Sequence, residues 1–442
     1  MLPHLTAGPL FTDLYELTMA AGYYRHGLHP QPATFSVFAR NPGKKRNYFV
    51  AAGLEQVLTE LAGYRFRKDE VNYLRALGLF AENFLDHLGR LRFSGDILAL
   101  PEGTIFFPEE PIMEITAPLI EAQLIETFVL NTLGLASLIA TKASRCVHAA
   151  QGRPLVDFAL RRTHGQDAGD QVARNTYLAG FAATSNVRAG QRFGLPVTGT
   201  MAHAFVSAFP SEIDAFRAYA EIFPQNTILL IDTYDTLEGA RNAVIVAREM
   251  QSRGARLRGV RLDSGDMVEL SRAVRTILNR AGLQDTDIYA SGSFDEFRID
   301  QALKDDAAID AFGVGTRVGV SADAPYMDIV YKLVRLADRD VRKLSPGKIT
   351  LASAKQIFRR RDTSGLYGED IIACREEYID DAEPLLVPVM KAGQRLGPAC
   401  SLTTLRQRFE AGFAGLNARF KDIHHYIPYP VHISPQLQAR QS

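Results

Sequence analysis

The chain reads as an α/β protein, with a helix-wrapped parallel sheet in its central part and a smaller sheet-bearing region before it. Three observations predict this class. Apolar runs beginning near Leu155, Leu195, Ile228, Leu257, Ile288 and Ile309 alternate with helical patterns at 171–188, 211–222, 237–252, 267–280 and 294–303. This βαβ rhythm suits either a closed parallel barrel or an open doubly wound sheet. A different texture, short strands broken by Gly/Pro turns, fills residues 93–118. Finally, 442 residues exceed what one simple core organises, so two or three domains are expected.

In chain order, Leu14, Leu17, Thr18 and Ala21 recur at helical spacing, with Thr12 placed to cap that helix. Residues 34–38 alternate like a strand, and 50–62 and 68–88 return to helical patterns. Strands are expected at 97–100, 104–107 and 112–115, and a helix at 121–135 leads into the main βαβ series. Beyond about residue 345 the pattern is mixed, apart from a short helix at 402–411 that Gly412 is placed to end. No internal repeat or low-complexity tract is evident.

Composition narrows the function classes. Apolar residues make up 46% and charged residues 23%, as in an ordinary globular protein. Fifty basic and fifty acidic side chains leave no net field to attract nucleic acid or a membrane surface, so an anionic substrate needs a local cluster. Cys146, Cys374 and Cys400 are too few and too scattered for a disulfide framework or a metal knuckle, which fits a reducing cytosol. The first residues lack the basic flank and apolar core of an export signal, and no apolar run approaches the ~18 residues of a membrane span.

Polar residues gather where the candidate strands end: Asp157, Arg161 and Arg162; Thr200 and His203; Asp232 and Asp235; Arg261, Asp263 and Asp266; Ser291 and Gly292; Gly313, Gly315 and Arg317. Parallel strands would bring these ends to one mouth, as an enzyme requires. Arginines at 161, 162 and 261 suit the paired gripping of carboxylate or phosphate, although Arg161 and Arg162 could equally pair with Asp157 at the surface. Strand alternation points Arg261 and Asp263 the same way, while Ser264 or Asp266 could instead cap the next helix. The turns Ser291-Gly292-Ser293 and Gly313-Val314-Gly315-Thr316 offer backbone donors for a phosphate, or are ordinary turns; neither is a Walker or dinucleotide motif. Asp232, Asp235 and Asp263 could hold hydrated Mg²⁺ beside a pyrophosphate, with helix capping the alternative for Asp235. His203 follows the small Thr198-Gly199-Thr200-Met201-Ala202 turn, and its imidazole is a candidate nucleophile or base.

These stretches, with Thr12-Asp13-Leu14-Tyr15, Asp157-Phe158-Ala159-Leu160-Arg161-Arg162, Thr184-Ser185-Asn186, Asp232-Thr233-Tyr234 and Tyr331-Lys332-Leu333-Val334, resemble the nicotinate phosphoribosyltransferase family of NAD salvage. The ordered set runs from residue 10 to about 430. The resemblance implies an irregular type II phosphoribosyltransferase α/β barrel with a discontinuous smaller α/β domain. It divides the chain into an N-terminal α/β domain at 1–130, a barrel-like catalytic domain at 131–345, and a segment at 346–442 that completes the smaller domain and packs on the barrel.

The same resemblance implies a homodimer with shared active sites, no nucleic-acid or membrane partner, and nicotinate, phosphoribosyl pyrophosphate and ATP as substrates with Mg²⁺. Tyr15 would reach the pyridine ring from the neighbouring subunit, Phe158 would stack on its other face, and Arg161 would bind phosphate near it. Arg261 would hold the pyridine substrate, and Asp263 would contact ribose or position metal-bound groups together with Asp232. Thr200, Ser291, Gly292, Gly313 and Gly315 would complete the substrate contacts. Ser185 stands where nicotinamide-using relatives carry Asp; a carboxylate there would repel nicotinate, whereas serine can donate to it. His203 would be transiently phosphorylated by ATP, coupling its cleavage to transfer. A nicotinamide-using enzyme and a catalytically silent ligand-sensing relative are the alternatives.

Overall fold

The computed structural model describes residues 8–40, 45–345 and 350–441. The chain divides into two compact units, one formed by residues through Ala140 together with those from Tyr326 onward, the other by Thr141–Pro325.

The first unit is discontinuous in sequence. Its seven-stranded antiparallel sheet runs, edge to edge, Arg339–Asp340, Ile329–Leu336, Pro32–Ala39, Pro111–Pro118, Asp96–Ala99, Val387–Lys391 and Gln394–Arg395. Strands from both ends of the chain therefore share one core, in which Phe35 and Val37 pack with Ile97, Ile115, Tyr331 and Met390. A four-stranded sheet of Glu383–Pro384, Lys355–Arg361, Tyr367–Cys374 and Val431–Ile433 also belongs to this unit and departs from the mixed pattern expected there. Asp13, not Thr12, stands at the N-cap of the helix Leu14–Arg25, while Thr12 donates to Glu16 (2.6 Å). The expected helix at 68–88 is two, Lys68–Ala76 and Glu82–Arg90. The late helix runs through Gly412 to Gly415, with Gly412 close to the Gly103 carbonyl and Tyr367. The stretch Leu119–Ala149 is apolar and long enough to cross a membrane by composition alone, more than the sequence pattern led one to expect; 72% of its apolar window is buried inside the protein, as in a core helix.

The second unit holds a parallel six-stranded sheet in the order Ala183–Thr184, Leu155–Asp157, Ala311–Val314, Asp287–Ala290, Gly259–Leu262, Ile228–Leu230. The first strand in sequence pairs with the last, and the others follow in sequence order around the ring, as in a barrel. One join is open: Ala183–Thr184 and Ile228–Leu230 do not pair with each other. The sheet is thus a curled half-barrel. Its strands are two to four residues long and largely buried, which explains why they read as short continuous apolar runs rather than alternating ones.

Two sequence expectations fail at the open join. The strand near Leu195 shrinks to a single parallel bridge between Val197 and Thr184. The helix expected over 171–188 becomes Gln166–Leu178 and Val187–Phe193, separated by Gly180, whose φ of +109° suits glycine, and by the strand Ala183–Thr184.

Candidate functional site at the strand ends

The C-terminal ends of the parallel strands converge on Arg261, at the end of Gly259–Leu262. Its Nε donates to Ser291 Oγ (2.9 Å), Nη1 to Thr200 Oγ1 (3.0 Å) and the Met201 carbonyl (3.2 Å), and Nη2 to Asp263 Oδ1 (3.0 Å). Four bonds from one planar fork fix three loops at once, a task a lysine ammonium cannot perform. The guanidinium carbon also lies 5.3 Å from the centre of the Phe158 ring.

Phe158 owes its position to a missing side chain. A Cβ on Gly313 would stand 2.4 and 2.5 Å from two Phe158 ring carbons and 3.3 Å from Ser291 Cβ. Gly313→Ala is therefore expected to push the ring off Arg261. Overpacking of this kind costs about 1–3 kcal/mol, and steady-state kinetics should show a KM rising more than kcat falls. An unchanged KM would show that the ring's placement is unimportant. At Gly292 the backbone itself demands glycine: φ is +95°, and a Cβ would lie 2.2 Å from the Asp263 carbonyl.

Asp263 joins two halves of the site. Oδ1 accepts from Arg261 and from Ser291 Oγ, and Oδ2 lies 4.0 Å from His203 Nε2. Burial pushes its carboxyl up, but the Ser291 hydrogen bond, the Arg261 charge and bond, and His203 together hold it below the usual carboxylate range. Its backbone N–H donates to Asp232 Oδ2 (2.9 Å), as does Ser264 Oγ (2.6 Å). Asp232 Oδ1 is buried with no hydrogen-bond donor among the described residues.

His203 begins the short helix His203–Ser207, and its Nδ1 lies 3.1 Å from Thr233 Oγ1. Thr233 is a site residue that strand-end reasoning passed over, although it follows Asp232 directly. The segment from Val197 to His203 spans the open join of the half-barrel, bridged to Thr184 at one end and bonded to Arg261 and Thr233 at the other.

The remaining candidates are spread more widely. Arg161 and Arg162 form an exposed 3₁₀ turn after Phe158 and pair with no carboxylate among the described residues. Asp157 does not meet them: it is buried, and accepts from Ala159 N (2.8 Å) and Thr184 Oγ1 (2.7 Å). Burial raises its pKa against those two bonds, so it is a structural acid. Ser185 is half-buried beside it, with its N–H on the Asp157 carbonyl (2.9 Å). Gly315 precedes the short helix Thr316–Gly319, and Arg317 pairs with Asp295 (2.7 Å). Asp235 caps Thr236–Ser252 and Asp266 caps Met267–Arg280, which settles the role of both. Tyr15 belongs to the other unit, on the helix Leu14–Arg25, where it is 47% exposed.

Oxygen-rich Mg²⁺ sites take one or two carboxylates and keep several waters. The orphaned Asp232 Oδ1 and the nearby Asp263 fit that pattern, although the described residues hold no group of three or more His, Cys, Asp or Glu arranged for a metal.

Three segments match family models: the nicotinate phosphoribosyltransferase N-terminal domain at residues 10–134, the nicotinate phosphoribosyltransferase family at 154–345, and its C-terminal domain at 378–441. The chain is 47% identical over 396 residues to nicotinate phosphoribosyltransferase pncB2 of Mycobacterium tuberculosis, covering 88% of this chain and 83% of that one. It is 40% identical over 384 residues to the Bacillus subtilis nicotinate phosphoribosyltransferase, covering 85% and 78%. The crystal structure of human nicotinic acid phosphoribosyltransferase superposes with a TM-score of 0.87 at 29% identity, over 97% of this chain and 98% of that one. By sequence and by fold, the chain belongs to the nicotinate phosphoribosyltransferase family and is a type II phosphoribosyltransferase.

Proposed function

We propose that this chain joins nicotinate to phosphoribosyl pyrophosphate, giving nicotinate mononucleotide and pyrophosphate, and that ATP drives the reaction through transient phosphorylation of His203. The observation that carries this reading is the Arg261–Asp263 pair, which touches Phe158, Thr200 and Ser291 on one side and approaches His203 on the other. Transfer and coupling thus share one carboxylate.

In the transfer step the pyridine nitrogen attacks ribose C1 and the bond from C1 to the pyrophosphate oxygen breaks. Phe158 offers an aromatic face to the ring and Arg261 a cation to its carboxylate. The exposed Arg161 and the donors around Ser291, Gly292 and Gly315 serve the phosphates. Mg²⁺, when bound, neutralises pyrophosphate charge, and Asp232 and Asp263 would hold it. In the coupling step Thr233 engages Nδ1 of His203 and leaves Nε2, on the Asp263 side, to take the γ-phosphoryl of ATP as ADP departs. Water then releases phosphate and restores the imidazole.

The active assembly is a homodimer in which the partner subunit's Tyr15 covers the open face of the pyridine ring. Leu14, Tyr15 and Met19 on the helix Leu14–Arg25, with Phe11 just before it, each at least 38% exposed, give the apolar surface such a contact uses.

Product formation with nicotinate, nicotinamide and quinolinate, each with and without ATP, tests the reading. Nicotinate should be strongly preferred and ATP should raise the yield of mononucleotide. A preference for nicotinamide would remove Ser185 as the basis of discrimination, and no turnover with any of the three would leave a silent relative.

A further inference from the structure

The first unit carries a separate pocket of ≈ 240 Å³ on its seven-stranded sheet, lined by Pro32, Thr34, Thr116, Arg335, Arg375 and Glu376, among others. It is smaller than the roughly 300–1,000 Å³ typical of sites for drug-sized ligands. Thr34 stands directly opposite Arg335 on one neighbouring strand and Thr116 on the other, so the three side chains share a face. Thr34 and Thr116 hydroxyls lie 3.0 Å apart, and Arg375 Nη1 donates to Thr116 Oγ1 (3.2 Å). The result is a row with an arginine at each end and two hydroxyls between.

The donors of this row outnumber their acceptors. Arg335 spends only Nε, on the Ala337 carbonyl (3.2 Å), and its two Nη groups meet no acceptor among the described residues. Arg375 Nε is buried and has no hydrogen-bond partner among the described residues. The Thr34–Thr116 bond uses one hydroxyl proton and leaves the other for a ligand. Of the nearby carboxylates, Glu376 accepts from Arg440 Nη2 (3.1 Å) and Glu114 Oε2 from Arg375 Nη2 (3.2 Å), while Glu114 Oε1 pairs with Lys355 Nζ at 3.5 Å without a hydrogen bond among the described residues. Forked guanidinium donors in a small concavity suit a compact oxyanion.

We infer that this pocket binds a small oxyanion, a phosphate or carboxylate group, at a site separate from the Arg261 network. Arg335 and Arg375 take its oxygens and the threonine hydroxyls complete the cradle. The two sources of such a group differ in shape, tetrahedral or planar, and a titration separates them.

The test titrates inorganic phosphate, and in parallel succinate, into the full chain by calorimetry, comparing wild type with Arg335→Ala, Arg335→Lys and Arg261→Ala. One anion should bind in wild type, bind about tenfold more weakly in Arg335→Ala, and recover partly in Arg335→Lys, on the scale of one hydrogen bond to a charged group. Arg261→Ala should keep this binding. Equal binding by wild type and Arg335→Ala overturns the proposal. So does an anion site that disappears only in Arg261→Ala, because the ion then belongs to the transfer site. Transferase activity of Arg335→Ala in buffer without added phosphate or succinate should match wild type, which distinguishes loss of the pocket from loss of the fold.

Discussion

Arg261→Ala should lower kcat/KM for nucleotide formation by roughly 10³, or about 4 kcal/mol, the upper range for removing one preorganised donor from an active site. The expected loss is large because several supports disappear together. Thr200, Met201, Asp263 and Ser291 each lose a donor, and Phe158 loses the cation beside its ring. Asp263 would then keep its charge without its guanidinium partner, and its carboxyl should titrate higher. Arg261→Lys should recover little, since a compact ammonium cannot span four acceptors. Steady-state kinetics of both variants, with thermal unfolding as the control for folding, check this. A loss of less than tenfold in the alanine variant would move the chemistry away from Arg261.

His203→Ala should abolish a different quantity. No acid-labile phosphoenzyme should form from γ-labelled ATP, and ATP should no longer raise the ratio of mononucleotide to free nicotinate at the end of the reaction. Transfer itself should persist, slower but measurable, because Phe158, Arg261 and Ser291 do not depend on the imidazole for their positions. Thr233→Val should lie between: phosphoenzyme forms, about tenfold more slowly, because the Nδ1 contact that orients the ring is lost. Normal phosphoenzyme formation in His203→Ala would place the phosphoryl group on another residue.

Which parts of the fold could be read from the sequence follows from where the information lies. Strands such as Ile228–Leu230 and Ala311–Val314 are buried along their length, so each announces itself as an apolar run before a polar loop. Ala183–Thr184, only two residues long, has no period to detect, whereas the apolar Leu195-Pro196-Val197 looks like a strand and yields one bridge, with Pro196 lacking an N–H for a ladder. The sheet near the C-terminus was hidden for the opposite reason. Lys355–Arg361 carries four cationic side chains, yet Arg359 is buried, bonded to Asp370 (2.8 Å) and lying 4.3 Å from the Tyr367 ring centre. Its compensation comes from a neighbouring strand that no local pattern reveals. At the site, strand-end polarity led to Arg261, Asp263, Ser291 and His203, which the structure brings together. It did not reveal that Gly313 makes room for Phe158, because a glycine that yields space leaves no chemical trace in a sequence.

The open join of the half-barrel separates geometry from state. Arg261 sits on a laddered strand, paired with neighbours on both sides. His203 follows a segment that makes one β-bridge, to Thr184, and otherwise meets the sheet through the Arg261 side chain and Thr233, so it stands outside any ladder. A closed barrel would have tied both to the same rigid frame. Leaving one join unstitched sets a laddered arginine beside a histidine that no ladder holds.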